Sequence, residues 1–262
     1  MTNYIMLNKV LRAYQKTGYD NIFSRNLSSI SNTIHQKISG RKRFYKEVDV
    51  NNIIEKSSGK SLFQITLDGK VLRTPARKPL HLPSIEIALV IAAEWDAQID
   101  DRRGIEPPTM PITQLIFTAI DQIEENPEVT RATCLSYLST DTALFFAPDE
   151  ERILLGKQKQ YLSPLLRWIQ RKFDVKINHE QGRVLKKITH DPETVGRIEA
   201  VVNQLDPISL AALQSVTMEC KSLLMALAFI FRYCSLDQLK IMSRLEEEFQ
   251  VEIWGVVEGG EY

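Results

Sequence analysis

A carboxylate stands where one helix of this sequence calls for an apolar side chain. At about 100° per residue, Leu239, Met242, Leu245 and Phe249 of a predicted helix from Ser235 to Val251 fall within roughly a third of its circumference, and Glu246 falls in the same arc. Glu247 and Glu248 project to the opposite side and read as solvated charges. An unpaired carboxylate in an apolar stripe is costly. Glu246 is therefore expected to meet an internal cation such as Arg232 or Arg244, to shift toward neutrality, or to await a partner molecule. Arg244 and Trp254 are further candidates for partner contact, because arginine and tryptophan are favoured interface anchors; Trp254 as a core plug is the competing expectation.

Catalytic and ligand-binding motifs are poorly represented. Ser58-Gly59-Lys60-Ser61 matches the end of a phosphate loop, but the position of the upstream glycine is Ile54 and no helix follows, so the segment reads as a loop between strands. No Gly-x-Gly-x-x-Gly fingerprint occurs, and His35, His81, His179 and His190 lack the spacings that gather metal ligands. Neither a metal nor a cofactor is expected. Glu94, at the end of a helix, and Asp141, between Thr140 and Thr142, are the acids most worth comparing, and both are expected to cap helix ends or turns. The enzymatic alternative is a small mitochondrial hydrolase with an acidic site between two domains. No serine sits in a nucleophile elbow, and Cys134, Cys220 and Cys234 lie in apolar helical surroundings as reduced core residues.

The elements that must position these groups begin after a basic amino end. Residues 1–43 carry Lys9, Arg12, Lys16, Arg25, Lys37, Arg41, Lys42 and Arg43 against one acid, Asp20, with many serines, the composition of a mitochondrial transit segment. Over the whole chain the charges balance, with 33 basic and 33 acidic residues in 262, which gives no global field for nucleic acid. The longest apolar run, Leu223 to Phe231, is about half of what a bilayer span needs, so no membrane span is expected.

From Phe44 to Pro83 the hydrophobic period is two: strands are predicted over Phe44–Val50, Phe63–Leu67 and Val71–Arg73, with a tight primed hairpin turn at Asp68-Gly69. After the N-cap Ser84 the chain is helical, with helices over about 113–124, 127–138 and 149–173, an extended connector at Val175-Lys176-Ile177, and helices opened by Asp191-Pro192 and Asp206-Pro207. A buried central helix is predicted from Thr217 to Cys234. The expected fold class is α+β, a small amino-terminal antiparallel β-rich domain packed on a larger carboxy-terminal all-helical domain. The expected divisions are 1–42 as a disordered transit segment, 43–83 as the β-rich domain and 84–262 as the helical domain.

Several blocks resemble one family. Arg43-Phe44-Tyr45-Lys46, Leu67 through Ala76 (LDGKVLRTPA), Ala93-Glu94-Trp95-Asp96-Ala97-Gln98, Met110-Pro111-Ile112-Thr113, Tyr137-Leu138-Ser139-Thr140-Asp141-Thr142 and Ser243-Arg244-Leu245-Glu246-Glu247-Glu248-Phe249-Gln250 through Trp254-Gly255 look like its signature segments. The family is that of mitochondrial ATP synthase F(1) complex assembly factor 2, the chaperone of the ATP synthase α subunit. The resemblance covers roughly residues 43 to 258. It implies a non-enzymatic molecular chaperone of the mitochondrial matrix that binds unassembled α and protects its intersubunit surface until α pairs with β. It also implies that the functionally critical glutamate is Glu246. The family pattern after Trp-Gly runs through Glu to His-Asp, whereas this chain ends Glu258-Gly259-Gly260-Glu261-Tyr262.

Overall fold

The computed structural model describes residues 40–55, 59–99, 104–182 and 187–255. The expected transit segment, His35 and the end of the chain beyond Gly255 lie outside the described residues. The chain forms two compact units, Met1–Glu125 and Asn126–Tyr262. The α+β class holds, with short antiparallel strands first and mostly helices after them.

In the first unit, β1 (Val48–Ile54) and β2 (Ser61–Leu67) pair antiparallel from Val48 opposite Leu67 to Ile54 opposite Ser61. The other side of β2 takes β3 (Lys70–Val71) and β4 (His81–Leu82). Asp68 and Gly69 both adopt positive φ, 47° and 75°, the pair a type I′ hairpin turn demands, as their residue types predict. The first strand starts later than the alternation suggests, at Val48 rather than Phe44. Residues 43–47 are held instead by side-chain bonds: the Asp68 carboxylate accepts the Lys46 and Glu47 N–H groups, and Arg43 donates to the Tyr45, Lys46, Asp96 and Gln98 carbonyls.

Helix α1 (Ile85–Asp96), capped by the Ser84 hydroxyl, lays Ala88, Ile91 and Trp95 against β1 and β2. That packing keeps α1 with the sheet, so the compact units divide after Glu125 and not at the first helix. A helical stretch then runs from α2 (Pro111–Thr118) through a π turn, Ala119–Ile123.

The second unit is built around an almost wholly apolar helix. Its elements are α3 (Pro127–Ser136), α4 (Arg152–Phe173), α5 (Pro192–Asn203), α6 (Pro207–Cys220), α7 (Leu223–Ile230), α8 (Leu236–Ser243) and α9 (Leu245–Trp254). Leu223 through Ala228 are buried, and α7 packs against α4, α6 and α8. The predicted helix Thr217–Cys234 is thus two helices. Lys221 turns left-handed at φ 52°, and the Ser222 hydroxyl caps the new start by accepting the Met225 N–H. No strand covers 175–177; a short parallel pair joins β5 (Phe145–Phe146) to β6 (Glu180–Gln181) instead. The Asp206 side chain caps α6 through the Ile208 and Ser209 N–H groups, whereas the Asp191 side chain makes no such bond. Cys134, Cys220 and Cys234 are free, buried thiols, and burial pushes Cys134 and Cys220 up to about 12.

Candidate partner-binding site

The predicted helix from Ser235 to Val251 also breaks, at Arg244, where φ −117° and ψ 10° separate α8 from α9. The apolar arc expected across the whole segment is therefore not one face. Leu239, Met242 and Leu245 are buried, but Glu246 opens the first turn of a new helix and is exposed by area. Its setting is nevertheless unusual for a surface acid.

Gln158 explains why. The stripe Leu155, Leu162, Leu165 and Ile169 on α4 is apolar and buried, and Gln158 occupies it with only 1% of its surface exposed. The side-chain oxygen of Gln158 accepts the Ala147 N–H at 2.7 Å. Its amide nitrogen donates to the Phe145 carbonyl at 3.3 Å and to the Glu246 carboxylate at 3.2 Å. Because the Ala147 donor fixes the amide oxygen, the NH2 group must face the other way, toward Glu246. A buried polar network thus holds one oxygen of an exposed carboxylate.

No cation completes this arrangement among the described residues. Arg244 bonds Glu247 instead, at 2.8 and 3.0 Å, which draws the Glu247 pKa down. Lys157 pairs with Glu252 at 2.7 Å and ties α9 to α4. Arg232, the other internal cation weighed from the sequence, makes no ion pair with Glu246. The Glu246 pKa is raised, chiefly by desolvation and then by the like charge of Glu151 at the start of α4. Water still reaches the exposed residue and screens its charge. Phe249, half-buried, and Ile253, exposed, lie three and seven residues on, so both share the Glu246 side of α9. Trp254 closes α9, and its side chain lies outside the described residues.

The two acids considered for catalysis are consumed in structure. Glu94, 7% exposed, accepts the Ile112 N–H and both the N–H and hydroxyl of Thr113, capping the start of α2. Desolvation pushes its pKa up to about 7 against those bonds. Asp141 is fully buried, accepts the Ala143 N–H and the Leu224 N–H, and so ties a loop to the first turn of α7. Its pKa rises to about 6, again through desolvation. Among the described residues, no group of three or more potential metal ligands occurs.

Sequence reasoning singled out Glu246 but neither of its neighbours, Glu151 and Gln158. Gln158 had a signal, a polar residue at a stripe position of an amphipathic helix; Glu151 had none beyond its place near a helix start.

Comparisons with known proteins converge. The ATP12 chaperone protein family matches residues 42–170. A Schizosaccharomyces pombe protein named mitochondrial atp12 is 29% identical over 227 residues, spanning 83% of this chain and 75% of its own. The Saccharomyces cerevisiae mitochondrial protein ATP12 is 24% identical over 284 residues, 93% of this chain and 84% of its own. The crystal structure of Atp12 from Paracoccus denitrificans superposes with a TM-score of 0.72 at 30% identity, covering 83% of this chain and 88% of that one.

Proposed function

The chain belongs to the ATP12 chaperone protein family, and from that premise we propose that it is an ATP synthase assembly chaperone that holds the unassembled α subunit in the mitochondrial matrix. An α subunit awaiting its neighbour exposes an apolar rim with charged groups, a patch larger than a soluble monomer normally tolerates. The chaperone covers that rim reversibly and yields it when β arrives. Glu246 supplies a carboxylate for a basic group on α, standing in for one that β later contributes, while Phe249 and Ile253 cover adjacent apolar surface.

One observation carries this reading: the Glu246 carboxylate is oriented by Gln158 and crowded by the charge of Glu151, yet has no cation among the described residues. A basic group from a partner would satisfy both acids at once. Action by contact and not by turnover is supported by the capping roles of Glu94 and Asp141, which leave neither acid free for a substrate.

Glu246→Gln keeps the shape and removes the charge. Its melting temperature should match that of the wild type, while its affinity for isolated α should fall by about 2 kcal/mol, roughly thirtyfold, as expected for losing one partner of a charge pair desolvated on binding. Undiminished binding of α by this variant would refute the mechanism.

A further inference from the structure

The same helix that carries Gln158 presents a second surface feature at its other end. Four aromatic rings form a continuous ladder there: Tyr233 stacks on Trp168 at 4.6 Å with 19° between planes, Trp168 meets Phe173 edge-on at 5.7 Å, and Phe173 meets Phe231 edge-on at 5.4 Å. Such ring pairs normally close a core. Here Phe231 and Tyr233 are each 39% exposed and the neighbouring Leu236 is 56% exposed. Arg232 stands between the two exposed rings with φ 57°, a left-handed conformation that arginine adopts only when the turn requires it.

Charge surrounds the ladder unevenly. Arg171 and Lys172 follow Trp168 by three and four residues on α4 and therefore flank it, and Lys172 lies 5.8 Å from the Phe231 ring centre. Arg232 is exposed, and its guanidinium makes no ion pair or hydrogen bond among the described residues. Of the nearby acids, Asp174 is already paired with Arg197 at 2.6 Å, leaving exposed Asp237. Rigid aromatics rimmed by cations are the composition of an interface centre.

We propose that this ladder is a second docking surface for the same ATP synthase α subunit, taking an apolar segment flanked by carboxylates. The inference rests on the reading of Glu246 as a client contact and extends it. Gln158 and Trp168 are ten residues apart on one helix, about 15 Å along its axis and about 80° apart around it, a separation that a single client subunit can bridge. The two ends then recognise opposite charges, the Glu151 and Glu246 end a basic group and the ladder an acidic one. That polarity fixes the direction in which the client lies.

The test titrates purified full-length chaperone with isolated α subunit. Tyr233→Glu should weaken binding at least tenfold with Glu246 intact. Arg232→Glu, which leaves all four rings in place, should weaken it about tenfold and flatten its dependence on salt. Melting curves accompany both, and if Tyr233→Glu unfolds the protein, Arg232→Glu decides. Arg232→Glu binding within twofold of the wild type while Glu246→Gln is impaired overturns the ladder proposal and leaves the Glu246 reading standing. A ladder variant that changes self-association of the chaperone but not α binding also overturns it. Failure of the wild type to bind α sinks both readings.

Discussion

Gln158 donates to Glu246 at 3.2 Å from within the buried stripe of α4, so a core residue sets the direction of a surface carboxylate. The pair links the core to the proposed client contact, and substitutions on its two sides should separate stability from client binding.

Gln158→Met keeps the volume and loses the amide. The Ala147 N–H is then buried without its acceptor, a loss of about 1–3 kcal/mol. Chemical denaturation should show that drop, and the folded variant should also bind α more weakly, because Glu246 is no longer oriented. A variant with unchanged stability would mean that the network carries no weight.

Asp141→Ala removes the acceptor of the Leu224 and Ala143 N–H groups from the centre of the second unit. The expected loss is about 2 kcal/mol, at the upper end for a lost cap. Affinity for α, measured on the folded protein below its melting temperature, should be unaltered. Lost affinity in a folded variant would give Asp141 a role in recognition that its capping geometry does not suggest.

Glu94 makes the stability of the first unit depend on pH. Its folded pKa of about 7 lies above the unfolded carboxylate value of about 4.3. The protonated form is thus favoured by folding. The associated stability is fully present below the unfolded value and is lost as pH rises through 7. Over that window the effect is on the order of 3 kcal/mol. Melting temperatures from pH 5 to 8 should fall with rising pH, and Glu94→Gln should flatten the slope. A wild-type profile rising across this range would contradict the assignment.

What could be read from the residues was whatever local chemistry decides. Asp68-Gly69 gave its turn, Ser84 and Asp206 gave helix starts, and the apolar Leu223–Ala228 run gave the central helix, because each effect acts within a few residues. The breaks at Lys221 and Arg244 were not visible. The first depends on Asp141, eighty residues earlier, capturing the Leu224 N–H, and periodicity reports no such distant cap. Glu246 was singled out by a helical arc that the break at Arg244 interrupts. Its exposure, and its neighbours Gln158 and Glu151, come from packing between α4 and α9, which a single helix pattern does not encode.

The break at Arg244 works as a joint between two short rods. Residues of α8 are phased to the core by Leu239 and Met242, while α9 is phased to α4 by Leu245 and the Lys157–Glu252 pair. Adding or deleting one residue at the joint would change the span between the core contacts of α8 and the α4 contacts of α9, and so pull Glu246 out of register with Gln158. The compass bearing of the Glu246 carboxylate is therefore set by chain length at a single joint, and that spacing should tolerate far less change than the side chains around it.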